Sequence, residues 1–470
     1  MHLWVAWWNI VKQLRGTCSR VRTFLWLGVV LVGFTIRGDL LGVTSIIRAL
    51  GLLECSYDRL LDFFHSRALS IQKLTQTWIH IVVKYLPLLR RNGRIVLVGD
   101  GIKIPKAGKK MPAVKKLFQE SESNTKPQYI FGHSYQAVAI LAGVMPSIFA
   151  VPLISRIHDG IVLSNRDHRT LLDKMVALLH GLTVQYPYYF VADAYYACKT
   201  VIRGVLKKGN HLISRVKTNA VAYEPAKKGK KKGKKKGKRG RKKRYGKKIK
   251  LVTLFKDREN IEEAQSPLHD EKGILLRYIV KDLIWRRAGV MVRFVAVMHP
   301  TKGNILLMST DLSLSALEII ELYGLRFKIE YSFKQAVRQI GVYSYHFWMR
   351  NMKPQKRKRK NQHLHRDTEK YREAVLRKVD AYHRFVQIGI IAQGLLQYLA
   401  CCHTKLVWNS FGSWIRTIRP GIVPSEMVTA IAMKNSFPEF LAGSRKKVIL
   451  TKFIVDNIDI ERTEGARLVA

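Results

Sequence analysis

The sequence predicts an α/β fold in which a mixed sheet is flanked by helices, and three observations carry that prediction. Residues 1–90 have helical periodicity, β-rich apolar runs begin at residue 94, and from residue 165 helices and strands alternate. In the N-terminal region, "TFLWLGVVLVGF" (23–34) is the one membrane-like run. It is about half the ~20 residues that a spanning helix needs. Arg37 and Asp39 follow it closely, and no small-residue cleavage pattern does, so a buried helix is expected. "GVTSIIRALGLLECSYDRLLDFFHS" (42–66) reads as two short helices broken at Gly51, with Thr44 or Ser45 capping the first and Ser56 the second. That outline fits a DNA-reading helix-turn-helix and a plain helical hairpin equally.

The β-rich runs are "RIVLVGDGIKIP", "YIFGHSYQAVAILAGV" and "IFAVPLIS". A helix ("NRDHRTLLDKMVALLHGL"), a strand ("YPYYFVADAYY"), a helix ("ACKTVIRGVLKKG") and a fifth strand ("HLISRVKTNAVAY") follow. More strands come after a lysine-rich tract: "KIKLVTLF", "GILLRYIVKDLIW", "VMVRFVAVMH" and "NILLMSTD". The last leads into a helix around residue 330, and helices run from about 366 to the C-terminus. The expected organisation is a helical, DNA-binding region at 1–90, a first core segment at 91–215 and a β-rich insertion at 216–300. A second core segment at 301–400 and C-terminal helices at 401–470 complete it. Within the insertion, 227–248 is expected to be a disordered basic loop, because dense like charge with frequent glycine cannot pack.

The 470 residues are 47% hydrophobic with a mean hydropathy of −0.07, which is a folded protein long enough for several domains. The net charge of +50 calls for a polyanion, most commonly nucleic acid. Residues 227–250 hold 17 Lys and Arg and no acid, so the remainder still carries 50 − 17 = +33. Five scattered cysteines without a CxxC pair argue for a reducing compartment and against disulfides or structural zinc.

Within so basic a chain, acids at the ends of apolar strands stand out. Asp100 closes "RIVLVGD" and Asp193 closes "YYFVAD". Each alone could be a turn residue or a helix cap. Desolvating them needs a positive partner, and hard oxygen ligands suit Mg2+ or Mn2+. A third acid, Glu330, lies in "YGLRFKIEYSFK" (323–334), at helical spacing from Tyr323 and Arg326. Two strand carboxylates and a helical one can hold two metals ~4 Å apart for phosphodiester chemistry.

The strand order, the three acids and the Tyr-two-Arg-three-Glu spacing resemble bacterial insertion-sequence DDE transposases of the cut-and-paste type. The resemblance is most specific over residues 94–350. It implies an RNase H-like core interrupted by a β-rich insertion. Asp100, Asp193 and Glu330 would be both catalytic and metal ligands for two Mg2+ ions, with Mn2+ able to substitute. Arg326 would clamp a phosphate, and Tyr323 would contact the distorted DNA end. The signature continues in the family with Lys seven positions after the Glu; that position is Val337 here, and Lys334 and Arg338 are the neighbours able to substitute. Lys103 and Lys106, just past Asp100, are candidate backbone contacts, although a solvated loop face explains them nearly as well. Implied partners are double-stranded DNA (terminal inverted repeats and target) and a second copy in a homodimer on paired ends, with no membrane and a cytoplasmic, nucleoid-associated location. A catalytically inactive transposase-derived DNA-binding protein and a cationic nucleic-acid or ribosome-associated module are the competing readings.

Overall fold

The computed structural model describes residues 2–119, 127–226, 243–358, 360–412, 418–444 and 448–461. Five strands form the centre of the sheet: β1 (Arg94–Pro105), β2 (Tyr129–Val144), β3 (Ser147–Ile157), β4 (Tyr188–Ala192) and β5 (His211–Arg215). Their spatial order is β3-β2-β1-β4-β5, with the first three antiparallel and β1, β4 and β5 mutually parallel. Parallel neighbours need crossovers, and Leu171–His180 and Lys199–Leu206 supply helices before β4 and β5. This mixed sheet with flanking helices is the RNase H-like arrangement expected.

The β-rich insertion is not a separate module. Strands β6 (Leu275–Trp285), β7 (Val290–His299) and β8 (Gly303–Ser309) form an antiparallel meander, and β8 pairs with β5. The result is one thirteen-stranded sheet among the described residues. Residues 227–242 of the expected basic loop lie outside the described residues. The remainder is partly ordered, because Tyr245–Lys250 pairs with Val221–Pro225, and the tract leaves and rejoins the sheet at one edge.

Period-two alternation sorts each central strand between two layers. Ile95 and Leu97 of β1 face the core shared with the N- and C-terminal helices, and Val96 and Val98 face the opposite one. The first layer holds α1 (Leu3–Val11), α2 (Val21–Ile36), α3 (Val43–Leu50), α4 (Ser56–His65) and α5 (Ile71–Tyr85). The crossover helices are α6 (Leu171–His180) and α7 (Lys199–Leu206). Over the other face lie α8 (Ala316–Gly324) and α9 (Lys328–Gln335). The 34-residue α10 (Glu369–Cys402), α11 (Thr404–Phe411) and α12 (Glu426–Asn435) return to the first layer. There Phe34 packs edge-on against Phe385 at 5.0 Å, and the Trp78 indole donates to the Pro152 carbonyl at 2.9 Å. The membrane-like run is therefore interior helix α2, as expected. Helix α10 is long and apolar enough to cross a membrane, but 83% of its apolar window is packed inside the protein.

The N-terminal helices depart from expectation in two ways. Gly42 and Cys55, not Thr44, Ser45 or Ser56, stand at the N-caps, and the Ser45 hydroxyl instead donates to the Gly42 carbonyl. Helix α4 exposes Asp58 and Asp62 beside Arg59, and exposed Glu54 precedes it. A helix laid against phosphates needs the opposite charge, and within 42–66 the exposed arginines are Arg48 and Arg59.

One buried acid sits in the helical layer. Glu426 is 1% exposed, and its Oε1 accepts from Gln393 Nε2 (3.1 Å) and Gln397 Nε2 (2.5 Å) of α10. Gln393 also donates to the Ser332 carbonyl of α9 at 3.0 Å. Burial pushes the carboxyl up to about 7. The folded state therefore holds a proton that the unfolded chain has released, and the stability it contributes below about pH 4.5 is lost as pH rises through 7. Glu426→Gln is expected to remove about 3 kcal/mol of that pH-dependent loss, read as urea-unfolding free energies at pH 4.5 and 8.

Candidate active site

The parallel register between β1 and β4 pairs Gly99 with Ala192, which sets the next residues, Asp100 and Asp193, side by side. Alternation turns both carboxylates to the face of Val98 and Val191, the face covered by α8 and α9. Asp100 does not close its strand: β1 continues through Gly101 to Pro105, so the turn reading of "DG" fails. Its Oδ1 accepts from the Gly101 amide at 2.7 Å. Asp193 does end β4; it caps a 3-10 turn, accepting from the Ala194 amide at 2.7 Å, and its carbonyl takes the Ser214 hydroxyl at 2.9 Å. Gly99 is required beside this pair, because a Cβ there would lie 2.5 Å from the Phe190 ring.

The third acid arrives from the covering layer. The segment expected as one helix is two, α8 and α9, joined by a 3-10 turn at Leu325–Phe327 that carries Arg326. The i,i+4 spacing survives, and the Arg326 guanidinium spans the site, donating to Asp100 Oδ2 (3.3 Å) and Glu330 Oε1 (2.5 Å). Burial, with the charges of Asp193 and Glu330, raises the Asp100 carboxyl to about 6 against the pull of Gly101 and Arg326. Burial likewise raises the phenol of half-buried Tyr323, whose charge neighbours are Arg326, Asp193 and Arg215. Asp100, Asp193, Tyr323, Arg326 and Glu330 thus meet in one electrostatic cluster.

Two neighbours escaped the sequence reading. Tyr196 is 3% exposed, and burial together with Asp100 and Asp193 raises its phenol. Arg215 ends β5 as Asp193 ends β4, and it lines a cavity of about 590 Å³ with Tyr323, Arg326, His299 and Lys302. The strand-end position that singled out Asp193 would have found Arg215 as well.

The other expected residues divide. Lys103 is exposed on β1. Lys106 is a correction: it is 8% exposed, donates to the Tyr343 and Tyr345 carbonyls, and lies 3.7 Å over the Tyr345 ring. Burial lowers its ammonium to about 7, and with its donors spent on those carbonyls it has no free face for DNA. Lys334 and Arg338 are both exposed. Residues 336–340 form a π-helical turn that carries Arg338. His133 is buried, bonded to the Tyr345 hydroxyl (2.6 Å) and the Pro112 carbonyl (2.8 Å), and burial holds it neutral. Asp159, beside His158, is paired with Lys115 at 2.7 Å.

Among the described residues, no three His, Cys, Asp or Glu side chains are gathered tightly enough to ligate one ion. The donor chemistry nevertheless fits a hard divalent cation. Asp100, Asp193 and Glu330 share one electrostatic neighbourhood, burial with the charges of the other two lifts Asp100, and Arg326 supplies the local positive charge. A bound cation would take over the role that the guanidinium plays between Asp100 and Glu330.

Residues 20–289 match the DDE superfamily endonuclease family. No curated protein matches the chain. Among solved structures, a piggyBac transposase synaptic complex with hairpin DNA is similar at 10% identity and a TM-score of 0.35, over 96% of this chain and 82% of that one.

Proposed function

The chain belongs to the DDE superfamily of endonucleases, and from that premise we propose that it is the transposase of a bacterial insertion sequence. It would bind the element's terminal inverted repeats as a homodimer on paired ends, in the cytoplasm at the nucleoid. It would nick the DNA strand and join the freed 3′ end to target DNA. The observation that carries this reading is the convergence of Asp100, Asp193 and Glu330 on one face of the sheet, with Arg326 bridging Asp100 and Glu330.

Superfamily members generally use divalent metals. Asp100, Asp193 and Glu330 would hold Mg2+ here, two ions in the full site, and the metal would supply Lewis-acid activation of water or a 3′-hydroxyl. The chain's own groups do the rest. Asp100 and Asp193 accept positive charge at fixed positions on the rigid sheet. Arg326, released from Asp100, is placed to hold a phosphate oxygen by a charge-assisted bond. Tyr323 presents a phenol and a ring to the DNA end from a neighbouring turn. Lys334 or Arg338, both exposed beyond Glu330, would take the role of the family lysine that Val337 lacks.

The test is nicking of a supercoiled plasmid carrying the element's ends, with and without Mg2+. Cleavage is expected with Mg2+ or Mn2+ only, and Asp193→Ala and Glu330→Gln should each lose it. Metal-dependent cleavage that persists in both variants would sink the assignment.

A further inference from the structure

Seven of the eight described tryptophans are buried, at 7% exposure or less, whereas Trp348 is 62% exposed. It belongs to an extended segment that alternates cleanly: Tyr345, Phe347 and Met349 point inward, and His346, Trp348 and Arg350 point outward. The segment is pinned to the loop after β1 by bonds from the Met349 amide to the Lys110 carbonyl (2.9 Å) and from the Gln355 amide to the Lys109 carbonyl (2.8 Å). Lys110 Nζ donates across the seam to the Arg350 carbonyl at 3.2 Å. At Gly108 a Cβ would lie 2.7 Å from the Trp348 indole nitrogen, so the missing side chain is what lets the indole lie against that loop. Lys109, Lys110, Arg350 and Lys353 surround it, all exposed, and none forms an ion pair among the described residues.

A fixed, solvent-facing indole ringed by uncompensated positive charge has the chemistry of a stacking platform: cations track a phosphate backbone while the ring accepts an unstacked base. The indole is seated on the loop that follows β1, the strand that carries Asp100 and continues ~17 Å from it to Pro105. We infer that Trp348, with Lys109, Lys110, Arg350 and Lys353, binds single-stranded DNA through an unpaired base, holding the strand opened beside the carboxylates. This rests on DNA being the substrate. It adds a surface that the acidic cluster does not require.

The experiment is fluorescence anisotropy of labelled single-stranded DNA, the same sequence as duplex DNA, and the same sequence as single-stranded RNA, with the full chain. Trp348→Ala is expected to weaken single-stranded DNA binding by about tenfold or more, with Trp348→Phe restoring most of it and duplex affinity changing by no more than about twofold. An exposed position should leave the melting temperature unchanged, which separates this effect from misfolding. Unchanged single-strand affinity in Trp348→Ala, an equal loss on duplex, or tighter binding to RNA would each overturn the platform. If metal-dependent nicking survives any of these results, the platform alone falls. If the unmodified protein binds no DNA, the platform falls together with the transposase reading.

Discussion

Asp100→Asn is expected to abolish DNA nicking while making the protein more stable at neutral pH. The activity loss follows from removing one of the three carboxylates that would hold the metal, and should be on the order of 10³-fold or more. The stability gain follows from the site's electrostatics. Burial and two like charges raise the carboxyl to about 6, and its side chain is only 25% exposed. With the folded value above the unfolded one, the folded state retains the proton over a window, and stability present below about pH 4 is lost as pH rises through 6. At pH 7.5 the ionised group costs about 2–3 kcal/mol, which asparagine removes while its amide oxygen can still accept from Gly101. Urea unfolding at pH 4 and 7.5 would show the unmodified protein losing stability over that interval and the variant holding level. A variant less stable at pH 7.5 would mean that the Arg326 bond outweighs the repulsion.

Arg37→Met should have the opposite profile, with a large loss of stability and a secondary loss of activity. Arg37 is 7% exposed and reaches from the end of α2 to the end of the Glu330 helix. It donates to the Ile340 carbonyl, to Gly341 O at 3.0 Å, and to Gly42 O and Ser45 Oγ at 3.1 Å each. Gly341 takes φ = 70° and would bring a Cβ within 2.4 Å of the guanidinium, so glycine alone fits this junction. Methionine fills the volume but leaves the carbonyls unpaired in the interior, at about 3–5 kcal/mol. The Glu330 helix loses its C-terminal anchor, so nicking should fall while DNA affinity holds. Denaturation midpoints and single-turnover nicking measure the two effects separately. A midpoint unchanged from the parent would show the junction to be redundant.

Much of this was legible locally. The five central strands follow from β-branched and apolar runs, and their parallel register turns two strand-end acids into a pair. The spacing of Arg326 and Glu330 predicted their contact even though a 3-10 turn interrupts the helix between Tyr323 and Glu330. What was not legible depends on distant partners. That β8 would pair with β5, making the insertion an extension of the core sheet, is decided by edges far apart in sequence. Lys106 shows a different failure. Its period-two spacing from Ile104 points it inward while its charge suggests the surface, and the carbonyls that receive it lie 237 and 239 residues away. The strand-end position of Arg215 carries the same information as that of Asp193, but an arginine does not stand out in so basic a chain.

The span of the acidic cluster also bears on when the protein becomes active during its synthesis. Arg326 and Asp100, which touch, are 226 residues apart in the chain. At ribosomal speeds of ~5–20 residues per second, on the order of 10–50 s separates their appearance. Through that interval the nascent chain presents exposed Lys103, Lys109 and Lys110 without a complete set of carboxylates. In the proposed function, a polypeptide still being made could therefore cling to nucleic acid before it could cut it. The proposed metal site would be complete only after the segment bearing Glu330 has emerged and docked.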